Sequence, residues 1–63
     1  MARYAKTCTN EDYFDLFIAI RDDLVLNGYE VTSGEYGAGV LDIGTDQPLT
    51  QALIDFWELT EVT

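Results

Sequence analysis

The chain contains no histidine, one cysteine, one proline and three basic residues, and each scarcity removes a class of function. With no His and a lone Cys8, one chain cannot assemble the nitrogen and sulfur ligands of a structural zinc site. The same count excludes a Ser–His or Cys–His catalytic pair. Cys8 has no partner for an intramolecular disulfide, which fits a reducing cytoplasm. A reactive thiol needs cationic neighbours, and only Lys6 is near in sequence. Cys8 therefore reads as a half-buried, small apolar residue. No metal and no cofactor is expected.

Long apolar runs are missing too. No stretch approaches the roughly 20 apolar residues that span a bilayer, and Met1–Cys8 carries charge without the apolar segment of a signal peptide. Positive charge is the scarcest resource. Arg3, Lys6 and Arg21 stand against twelve Asp and Glu, a formal charge of −9. Nucleic-acid surfaces need rows of Lys and Arg. The aromatics Tyr4, Tyr29, Tyr36, Phe56 and Trp57 would need a basic groove to stack on bases, so direct nucleic-acid binding is disfavoured.

What is present is a foldable core. Hydrophobic residues make up 48% of 63 residues, too many for a disordered acidic tail, and this length allows one domain over residues 1–63. An enzyme is not expected, because adjacent carboxylates such as Asp22 and Asp23 do not face each other on a helix and a deep pocket needs a larger chain. Asp42–Asp46 lacks the further oxygen ligands and terminal Glu of a calcium loop.

Arg3–Cys8 alternates loosely and suggests a short strand. Thr9 can cap a helix whose first turn carries Glu11 and Asp12, where the helix dipole favours anions. Tyr13, Leu16, Phe17, Ile20 and Leu24 recur at helical spacing, and Gly28 suits a left-handed cap, so a helix is predicted over about 10–27. Asn27-Gly28 is also a hairpin signal, but the long helical period upstream outweighs it. A hairpin is predicted over about 29–43, with one strand from Tyr29 to Ser33, a turn at Gly34-Glu35, and a second strand from Tyr36 to Ile43. Gly37 and Gly39 in that second strand invite a bulge or a close backbone approach. Pro48 suits a first helical turn, and Leu49, Ala52, Leu53, Phe56 and Trp57 form a core-facing stripe of a second helix over about 48–60. The expected fold is α+β, with both helices on one face of a small antiparallel sheet and a third strand at about 3–8.

The first helix carries the most informative pattern. At about 100° per residue, Glu11, Asp12, Asp15, Asp22 and Asp23 fall within roughly a third of its circumference, and Arg21 points away from them. Asp55 and Glu58 repeat the theme on the second helix. Single-sign charge on a rigid element steers a basic partner, whereas an ordinary solvated face mixes both signs. Apolar residues extend well beyond one stripe of the same helix. Phe14, Ile18 and Val25 are therefore either sandwiched or presented to a partner, and a homodimer is one such use. Tyr36, beside Gly37 on a turn, is a candidate exposed anchor. Phe56 and Trp57 are expected in the core.

In size, net charge, lack of a catalytic group and a carboxylate-lined helix, the chain resembles small acidic bacteriophage proteins directed against host nucleic-acid machinery. These are the anti-CRISPR proteins and other DNA mimics. The resemblance rests on no motif. It implies an inhibitor in the host cytoplasm that blocks a CRISPR effector, restriction enzyme, polymerase or similar basic surface by occupying it. The other expectation is a dimerising assembly module that works through Phe14, Ile18 and Val25.

Overall fold

A computed structural model describes residues 1–62. Six elements follow one another: β1 (Ala2–Thr7), α1 (Tyr13–Leu26), β2 (Val31–Gly37), β3 (Val40–Thr45), α2 (Gln51–Trp57) and β4 (Thr60–Val62). The strands form one sheet in the order β2-β3-β1-β4, and every neighbouring pair is antiparallel. This βαββαβ connectivity is the split βαβ arrangement of ferredoxin-like folds. The expected α+β architecture is present, with β4 as an addition.

Register decides which residues face the helices. Ala2, Tyr4 and Lys6 lie opposite Thr45, Ile43 and Leu41, and Gly34 and Tyr36 lie opposite Ile43 and Leu41. Directly opposed residues share a face, so these side chains build one layer. Tyr4, Leu41, Ile43 and Thr45 are fully buried in it, together with Ile20 and Leu24 of α1. The Phe17 ring lies against Gly34. From the other helix, the Leu49 N–H donates to the Tyr4 hydroxyl at 2.8 Å and the Lys6 ammonium donates to the Trp57 carbonyl at 2.7 Å. Both helices therefore cover the same side of the sheet. Lys6 can face that layer because its stem packs while its charge meets the negative end of α2. Among the described residues no buried side-chain polar atom lacks a partner.

Several boundaries differ from expectation for local reasons. Residues 9–12 form a turn closed by Tyr13 N–H donating to Thr9 O at 3.0 Å, so α1 starts at Tyr13. Glu11 and Asp12 thus precede the helix. Gly34-Glu35 lies inside β2, and the hairpin turns at Ala38-Gly39, where φ is 52° and 78°. Two consecutive positive φ values match the right-handed strand twist, which is why this pair takes the turn. The bulge falls between Val31 and Ser33 instead of at Gly37 or Gly39. Pro48 lies ahead of α2, which starts at Gln51 and is capped by the Thr50 hydroxyl accepting from Leu53 N–H.

Both helices end alike. Gly28 (φ 89°) closes α1, with Tyr29 N–H donating to Leu24 O and Gly28 N–H to Val25 O. Glu58 (φ 53°) closes α2, with Leu59 N–H donating to Ile54 O and Glu58 N–H to Asp55 O. These are Schellman closures, normally the place of glycine. The second one stops α2 at Trp57 and releases the chain into β4, which pairs with β1 through Arg3–Val62, Tyr4–Glu61 and Ala5–Thr60.

Candidate docking surface

The amphipathic strip on α1 follows from its own spacing. Ile20 and Leu24 are buried, and Leu16 and Phe17 pack around them. That orientation turns Phe14, Asp15, Ala19, Asp22, Val25 and Leu26 outward. Phe14 is 61% exposed, Val25 55% and Leu26 85%, while Ile18 is half-buried. At about 100° per residue, Ile18, Val25 and Phe14 lie about 60–100° to one side of Asp15, and Asp22 lies within about 20° of it. The exposed side of α1 is thus an apolar strip bordered by carboxylates. Leu26 falls among those carboxylates, a large apolar residue that the charge pattern alone gave no reason to single out.

Of the five clustered carboxylates, Glu11, Asp12, Asp15 and Asp22 are exposed. Asp12 accepts from the Thr9 hydroxyl at 2.9 Å, which anchors it in the turn before α1. Asp23 is not part of the exposed ridge. It is half-buried, and its Oδ2 accepts the Trp57 indole N–H at 2.8 Å. Arg21 does not stay clear of the acids, since its guanidinium lies 3.3 Å from Asp22 in the single ion pair among the described residues. An extended arginine spans the angular gap that separates their Cα positions. Such an exposed pair contributes little stability. Among the described residues, Arg3 and Lys6 form a salt bridge with no carboxylate, and Lys6 is held by the Trp57 carbonyl.

On α2, Asp55 accepts from the Gln51 amide at 2.9 Å, and Glu58 sits exposed at the helix terminus. Phe56 departs from its expected core position. It is 73% exposed, with its ring edge-on to Trp57 at 5.2 Å. Leu53, Ile54 and Trp57 form the side of α2 that packs against the core, and Phe56, about 100° round from its neighbour Trp57, falls outside it. Tyr36 is also placed differently from the expected exposed anchor. It lies within β2, stacks on Tyr13 with centroids 4.3 Å apart, and donates to the Cys8 carbonyl at 2.9 Å. Burial pushes its phenol above the ordinary 10.0, and the neighbouring Cys8 and Tyr13 add to the rise.

Two features needed the register to be seen. Glu35 lies opposite Asp42, and Ala5 follows in the same row, on the sheet face that no helix covers. Two like charges opposed across strands repel. Arg3 lies in the next row, opposite Gly44. The uncovered face carries no aromatic side chain among the described residues, so it lacks the stacked platform of sheet-type RNA binders. The second feature is a cleft of about 160 Å³ between α1 and β2, lined by Tyr13, Phe14, Phe17, Gly34, Glu35, Tyr36 and Leu41.

Among the described residues no three His, Cys, Asp or Glu converge to hold a metal ion. No helix is long and apolar enough to cross a membrane. The arrangement offers a surface for binding, an apolar area with a carboxylate border. No protein-family model matches the chain, and neither a curated protein nor a solved structure matches it.

Proposed function

We propose that this protein is a non-enzymatic inhibitor of the phage or mobile-element type, similar in action to anti-CRISPR proteins. It docks α1 onto a basic nucleic-acid-binding surface of a host complex in the cytoplasm and blocks that surface by occupying it. A CRISPR effector, a restriction enzyme or a polymerase presents such a surface. One observation carries the reading: Asp15 and Asp22 border the exposed strip of Phe14 and Val25, with Glu11 and Asp12 at its head. Asp15 and Asp22 stand about 10 Å apart along the axis. An apolar centre with a charged border is the anatomy of a protein interface, and a net charge of −9 speeds encounter with a cationic partner.

The test is affinity capture from host lysate with the wild type and with a variant carrying Glu11→Gln, Asp12→Asn, Asp15→Asn and Asp22→Asn. The wild type should retain a nucleic-acid-binding complex that salt weakens, and the variant should lose it mainly through a slower association rate. Equal capture by both proteins at low salt defeats the reading. The exposure of Phe14 and Val25 also favours a second one, a homodimer through Phe14, Ile18 and Val25. A dimer on a sizing column that ignores salt and dissociates with Phe14→Glu would select it.

A further inference from the structure

β2 is an outer strand of the sheet, hydrogen-bonded to β3 alone, so alternate backbone groups along it point to solvent. Beyond the bulge at Val31–Ser33, its pairing is regular from Ser33 to Gly37, a usable length of edge. The 160 Å³ cleft runs beside this stretch, with Phe14 and Phe17 of α1 facing Gly34 and Tyr36. We infer that β2 and this cleft capture an extended segment of a partner protein in which one Arg or Lys is flanked by two apolar residues.

The pattern follows from the pleat. A strand added to β2 places the residue opposite Glu35 on the helix-free face, at the end of the row Asp42–Glu35. Those two carboxylates repel each other and, among the described residues, no cation forms a salt bridge with either, so a guanidinium or ammonium there relieves the repulsion. The residues opposite Gly34 and Tyr36 turn to the other face, into the aromatic cleft. The Phe17 ring lies directly against Gly34, so an apolar side chain entering there meets an aromatic surface. A second copy of this chain is the wrong occupant, because pairing β2 with β2 would bring the Glu35–Asp42 pairs of both copies together. The inference concerns β2 and does not rest on the role proposed for α1, although the two surfaces share Phe14.

Three short peptides test it by amide NMR titration of the intact protein. One has valine–arginine–leucine at its centre, one has glutamate in place of the arginine, and one has proline in place of the valine. The arginine peptide should saturate, shift the Ser33–Gly37 amides and the Phe17 ring, and slow exchange of the outward β2 amides. The glutamate peptide should bind about fivefold to tenfold more weakly, the proline peptide should fail, and Glu35→Lys should reverse the charge preference. Equal binding of the arginine and glutamate peptides overturns the inference. So do shifts confined to the outer strip of α1 or to β4, or no saturable binding at about 1 mM.

Discussion

The indole nitrogen of Trp57 donates to Asp23 Oδ2 at 2.8 Å, joining the last turn of α2 to the last turn of α1. This bond explains why a carboxylate on an acidic helix is half-buried and why Trp57 tolerates a polar edge beside the core. The Asn27 amide approaches the same carboxylate at 3.5 Å and donates to the Asp23 carbonyl at 2.7 Å. Asp23 is therefore a structural link between helices that share few other contacts.

Asp23→Ala should cost about 1–2 kcal/mol, because it leaves the indole donor without a partner. Asp23→Asn keeps an acceptor at that position and should lose less. Urea unfolding followed by Trp57 fluorescence measures both, and equal losses would show that the charge, not the hydrogen bond, holds the helices.

Gly34→Ala should destabilise by about 1–3 kcal/mol, since a Cβ there would overlap the Phe17 ring. Phe17→Leu in the same chain should recover part of the loss. A double-mutant cycle by thermal unfolding reads the coupling, and strict additivity would mean that the ring moves aside freely.

Glu58→Gly should stabilise the fold by about 1 kcal/mol, because glycine takes the left-handed closure of α2 without the strain of a Cβ. Glu58→Ala keeps the strain and should give no such gain. Differential scanning calorimetry separates the two variants.

Alkaline pH should act through Tyr36. Its phenol is raised above 10.0, so the folded state holds that proton more tightly than the unfolded chain. The resulting stabilisation is complete below pH 10 and is lost as pH rises through the folded value. Ionisation also removes the donor to the Cys8 carbonyl. Phenolate absorbance during a pH titration should contain a late-titrating component that Tyr36→Phe removes.

Local chemistry was legible along the chain wherever a residue and its near neighbours settle the matter. The α1 stripe of Leu16, Phe17, Ile20 and Leu24, the Gly28 closure and the α+β class all follow from spacings of a few residues. The acidic character of the surface around Asp15 and Asp22 follows in the same way, from composition and helical period. Tertiary structure decided the rest. Asp23 left the ridge because Trp57, 34 positions away, supplies a donor. Gly34 joined a strand because Phe17 fills the space beside it, and Tyr36 turned inward because Tyr13 offers a stacking face. β4 formed because β1 had a free edge, a condition invisible in Thr60, Glu61 and Val62 themselves. The Glu35–Asp42 opposition likewise exists only through strand register, which hydrogen bonding between distant segments sets and no local period encodes.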